Sequence, residues 1–90
     1  EVINVGGLKF VASEVERIAL QYKGIEFVKV EGKQNPITGQ HVELVVQPNQ
    51  NIKIDISSLK FFLSENLSNH MVPRKIKISP IAIGHRFKKT

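Results

Sequence analysis

Two adjacent glycines, Gly6 and Gly7, stand between the short runs Val2 to Val5 and Leu8 to Val11. A two-residue connection in which both positions tolerate positive φ turns with the twist that antiparallel strands need, so the chain is expected to open on a β-hairpin. The period then changes. Ser13-Glu14-Val15-Glu16 fits a capping box, with the Ser13 hydroxyl serving a free amide and Glu16 reaching back. Val15, Ile18, Ala19 and Tyr22 follow at helical spacing and form one apolar face. Gly24 falls where a left-handed cap would end that helix.

Glu26 to Lys33 reads as a strand, and Asn35-Pro36-Ile37-Thr38-Gly39 carries turn chemistry. His41 to Gln47 is a second strand, antiparallel to the first, and Pro48 to Asn51 forms a loop. Asp55 is placed to cap a helix whose apolar face holds Ile56, Leu59, Phe62, Leu63, Leu67 and Met71, with Pro73 as its stop. Lys75 to Ser79 alternates as a last strand with two lysines facing water. The order is hairpin, helix, strand, strand, helix, strand. This is an α+β layout, a small sheet covered by two helices, and residues 1 to 90 make one domain.

Charge is unevenly distributed in this chain of 90 residues with a net charge of +5. Arg74, Lys75, Lys77, Arg86, Lys88 and Lys89 are six of its thirteen basic residues, and no Asp or Glu follows Glu65. Such an end suits an anionic partner: a nucleotide, a phosphate-bearing cofactor, nucleic acid or an acidic protein face. Cysteine is absent, which removes disulfides and thiolate metal sites and suits a reducing cytoplasm, the location expected. No apolar run approaches the roughly 20 residues that a membrane span needs.

Complete chemistry is not visible. Gly6-Gly7 lacks the third spaced glycine or the Gly-Lys-Ser/Thr of a nucleotide loop, and composition alone makes it a structural turn. His41, His70 and His85 show no metal-ligand spacing. Glu16 is explained by capping, and Phe61 and Phe62 by the helical apolar pattern. No aromatic platform on a strand and no Gly-x-x-Gly clamp marks a nucleic-acid binder.

Taken together, three stretches resemble one known family. Ile3 to Glu16 (INVGGLKFVASEVE) looks like the start of the small C-terminal domain of the adenylate-forming enzymes. This group comprises acyl-CoA synthetases, aryl ligases and peptide-synthetase adenylation domains. Asn35 to Gln40 is similar to the family's loop between two central strands, and Leu67 to Ile76 (LSNHMVPRKI) to its Leu-x-x-x-hydrophobic-Val-Pro-x-x-Ile signature. The resemblance implies a larger N-terminal domain in the same polypeptide that binds ATP, magnesium and a carboxylic acid, a fatty or other simple acyl group by default. The chain would then begin at the hinge, as an excised domain would.

In that family the small domain swings between two poses. One brings a C-terminal lysine to the reacting carboxylate and phosphates. The other brings the glycine hairpin to the channel for a thiol, on CoA or on the phosphopantetheine of an acyl carrier protein. The resemblance therefore casts Gly6 and Gly7, flanked by Val5 and Leu8, as thiol-channel residues. Where the family shows Gly-Lys followed by Arg, this sequence has Gly84-His85-Arg86-Phe87-Lys88-Lys89. Direct alignment puts His85 in the lysine's place, with Gly84 and Arg86 beside the ligand. A short slip offers Lys88 or Lys89, and Lys88 is favoured because lysine stays charged at pH 7. The expected function is thus that of one domain of an ATP-dependent acid ligase, inactive alone. The alternatives are a small basic nucleic-acid-binding module and a non-catalytic regulatory module.

Overall fold

A computed structural model describes residues 1–50 and 52–79. Strands β1 (Val2–Val5) and β2 (Leu8–Val11) form the expected hairpin, in register from Val2 opposite Val11 to Val5 opposite Leu8. Helix α1 (Ala12–Ala19) follows without a loop. Strands β3 (Ile25–Asn35) and β4 (Gly39–Pro48) pair antiparallel over nearly their whole length. Helix α2 (Ile56–Asn66) and a 3₁₀ turn (Asn69–Met71) then carry the chain back to β5 (Lys75–Ile78), which lies parallel to β4. A parallel pair needs such a crossover, and α2 supplies it. The result is a two-stranded ribbon beside a three-stranded sheet of order β3-β4-β5.

Alternation along the sheet decides which face is dry. Val28 and Val30 of β3, and Val42, Leu44 and Val46 of β4, are buried together with Ile3, Val15, Ala19, Leu59 and Leu63. The residues between them, Lys29 and Glu31 on β3 and Glu43 on β4, are exposed or half-exposed. The hairpin and both helices thus cover one face of the sheet, and the other is polar. This is the α+β arrangement read from the sequence.

Several local expectations are corrected. The capping box does not form: Val11 takes the N-cap position with no side-chain cap, because β2 runs directly into α1 and the Ala12 amide already donates to the Glu1 carbonyl at 2.8 Å. Glu16 instead turns outward from its own helix and accepts the Val30 amide at 3.2 Å, covering the free edge of β3. Helix α1 stops at Ala19, so Gly24 (φ +96°) lies in the turn that leads into β3 rather than capping the helix. The Ile52 side chain packs where a β-carbon on Gly24 would stand, 2.6 Å away.

The second helix also ends sooner than its apolar pattern suggests. Asp55 does occupy its N-cap, but its carboxylate accepts from the Ser58 hydroxyl at 2.7 Å and caps no amide. Asn66 donates to the Phe62 carbonyl at 2.8 Å, Leu67 is extended, and Met71 reaches the core from the 3₁₀ turn, so Pro73 is not the stop. Phe62 packs against the core and tilts onto Tyr22. Phe61, expected beside it, is 67% exposed, because neighbours in a helix point about 100° apart.

Leu44, fully buried on the central strand, and Phe61, largely exposed on α2, give opposite expectations. Leu44→Ala should cost about 2–5 kcal/mol, read as a lower urea midpoint with unchanged slope. Phe61→Ala should stay within about 0.5 kcal/mol of wild type.

Candidate functional site

The tip of the β1-β2 hairpin is where the sequence and the backbone agree most closely. Gly6 and Gly7 have φ of +60° and +89°, the pair of positive values that a tight primed turn demands. The Gly7 amide donates to Asn4 Oδ1 at 3.0 Å, and the Gly6 amide to the carbonyl of Thr38 at 2.8 Å. A β-carbon on either glycine would meet nothing within 4 Å. The glycines are therefore required by the backbone angle, and the space over them is open. Val5 beside them is half-buried and Leu8 is 55% exposed, an apolar shoulder at the turn.

A cleft of about 110 Å³ adjoins this turn, lined by Val5, Thr38, His41, His70, Val72 and Arg74 among others. Sequence spacing had scattered His41 and His70; the fold brings both to this cleft. His41 Nε2 lies 2.8 Å from Glu43 Oε2 and its Nδ1 lies 3.0 Å from Asn35 Nδ2. Asn35 Oδ1 is committed to the amides of Ile37 and Thr38, so its Nδ2 donates to Nδ1 and the other ring nitrogen donates to Glu43. His70 stands edge-on to the Phe10 ring, with centroids 5.3 Å apart. Among the described residues no group of three or more His, Asp or Glu is placed to hold a metal ion, and no helix is long and apolar enough to cross a membrane.

The polar face of the sheet is charged in both signs. Glu31 lies 3.2 Å from the ammonium groups of both Lys29 and Lys33. Phe27 is 41% exposed on β3, so one strand aromatic reaches solvent. It is a single ring on a strand that also carries Glu31, not the multi-ring basic platform that single-strand binders use.

Of the residues singled out in the sequence, Val5, Gly6, Gly7 and Leu8 form one surface. Gly84, His85, Arg86, Lys88 and Lys89 lie outside the described residues. Sequence reasoning missed Asn4, Thr38 and Gln40, whose groups hold the glycine turn in place. The Asn-Pro-Ile-Thr-Gly run signalled a turn there, but no local pattern tells that a hairpin 30 residues upstream rests on it.

The fold matches solved structures over most of its length. The acyl-CoA synthetase of Brucella canis matches with a TM-score of 0.81 and 21% identity over 90% of this chain. The amide bond synthetase McbA of Marinactinospora thermotolerans gives 0.83 and 20% over 90%. ATP-bound MatB of Rhodopseudomonas palustris gives 0.82 and 21% over 89%. In each case the chain spans only 16% of the neighbour's length. No family model matches the chain, and no curated protein matches it. At these identities the likeness is one of fold: about nine-tenths of this chain matches one part of these much longer chains.

The two perturbed carboxylates fix an expectation for acid. Hydrogen bonds from Lys29 and then Lys33 hold Glu31 below the ordinary 4.5 against the opposing effect of partial burial. The hydrogen bond from His41 does the same for Glu43. A depressed folded pKa contributes stability above the unfolded value, and that contribution is lost as pH falls through the folded one. Stability should therefore decline from about pH 5 downward. Glu31→Gln should flatten the decline while costing at most about 1 kcal/mol at pH 7, measured by urea titration across pH.

Proposed function

We propose that this chain is the small mobile C-terminal domain of an ATP-dependent carboxylic acid ligase of the acyl-CoA synthetase type. The observation that carries the reading is the match of almost the whole fold to acyl-CoA and amide bond synthetases, with the open double-glycine turn at its hairpin tip. A larger domain of the same polypeptide would hold ATP, magnesium and the acid. In the first half-reaction a carboxylate oxygen attacks the α-phosphorus of ATP and pyrophosphate leaves. In the second, a thiol on CoA or on a carrier protein's phosphopantetheine attacks the acyl carbon and AMP leaves.

Each half-reaction asks something different of this domain. Negative charge gathers on the carboxylate and α-phosphate oxygens in the first, and an oriented cation stabilises it. Lys88 is assigned that role, with Lys89 and His85 as its alternatives and Gly84 and Arg86 alongside. The second needs a narrow channel for a slender thiol arm, and a turn without side chains lets backbone line it closely. Val5 and Leu8 give that wall apolar character. Rotating the domain between the steps lets one site host both without crowding.

The isolated 90-residue chain should not exchange pyrophosphate into ATP, while the full-length polypeptide should. In the full-length protein, Lys88→Ala should slow adenylation far more than thioester formation. Gly7→Phe should do the reverse, with Gly7→Ala as the control that shares the backbone strain but not the bulk. Equal losses in both half-reactions, or none in either, would count against the assignment.

A further inference from the structure

The glycine turn does not support itself. A ribbon of two four-residue strands is marginal alone, and two glycines at its bend make it softer still. Its tip is held from beneath by the β3-β4 turn. The Gly6 amide donates to the Thr38 carbonyl, and the Asn4 amide donates to Gln40 Oε1 at 2.8 Å across 36 positions of sequence. Asn4 passes the hold on, since its Oδ1 receives the Gly7 amide.

The lower turn is rigid enough to serve as a base. Asn35 Oδ1 accepts from the amides of Ile37 at 2.8 Å and Thr38 at 3.1 Å, and the Thr38 hydroxyl donates to the Gln40 carbonyl at 2.6 Å. The Gln40 side chain lies over β3 in the space that the missing side chain of Gly32 leaves, its amide nitrogen 2.9 Å from where a β-carbon there would stand.

We propose that Asn4, Thr38 and Gln40 are positioning residues that set the depth of the double-glycine turn in the thiol channel. This rests on the ligase reading above. These residues act through the backbone of Gly6 and Gly7 and touch no substrate. Removing one hydrogen bond lets the tip shift, and a small misplacement of a channel wall is felt in the rate of transfer.

The test uses the full-length polypeptide with Gln40→Ala and Gln40→Glu. The first leaves the Asn4 amide without its acceptor; the second keeps an oxygen in the same place. Gln40→Ala should lower kcat/KM for the thiol acceptor roughly 10- to 100-fold, leave pyrophosphate exchange unchanged, and speed deuterium uptake in the hairpin peptide alone. Gln40→Glu should behave as wild type in all three. A competent enzyme whose Gln40→Ala variant loses nothing, loses both half-reactions equally, or takes up deuterium faster throughout overturns the positioning role and leaves the ligase reading standing. A wild-type protein that neither exchanges pyrophosphate nor forms a thioester overturns the ligase reading, and the positioning role falls with it.

Discussion

At Gly32, on β3, a β-carbon would stand 3.1 Å from both Cγ atoms of Ile3, tighter than nine in ten real contacts of that kind. The missing side chain is what lets Ile3, fully buried, descend onto the sheet. Much of the rest follows from that contact. With Ile3 seated, the hairpin lies against the sheet, and since β2 passes into α1 without a loop, the helix is placed as well. Val15 and Ala19 then face the valines of β3 and β4, and Glu16 reaches the Val30 amide. A larger residue at position 32 would press on Ile3 and, through it, on the seat of the hairpin, because well-packed interiors leave little slack.

The parts of this fold that could be read from sequence are those whose cause is local. Positive φ at Gly6 and Gly7, turn chemistry at Asn35 to Gly39, and alternation along β3 and β4 all act over a few residues. The errors share one origin. Ser13 and Glu16 are spaced as a cap, but the Ala12 amide is claimed by Glu1 across the hairpin, a partner that no helical window contains. Leu67 and Met71 continue the apolar spacing of α2, yet they pack half-buried against the core from an extended segment and a 3₁₀ turn. Apolar spacing records the need for burial and not the backbone that meets it. The bonds bracing the glycine turn were hidden for the same reason, since Asn4 and Gln40 are 36 positions apart.

The glycines themselves separate two explanations that composition could not. Glycine is kept either because something inside the protein leaves no room or because the backbone angle forbids a side chain. Gly32 is of the first kind, with Ile3 and Gln40 against it. Gly6 and Gly7 are of the second, and the space around them is empty. The bend faces outward without side chains and is held from behind by hydrogen bonds to Asn4 and Thr38.

Strand direction gives the molecule two poles. The glycine bend rests over the beginning of β4, at Thr38 and Gln40, whereas β5 runs alongside β4 and ends where Ser79 donates to the carbonyl of Val46. Six residues of strand separate Gln40 from Val46, about 20 Å. The glycine bend and the end of β5 therefore present two separate surfaces, one at each end of the central strand.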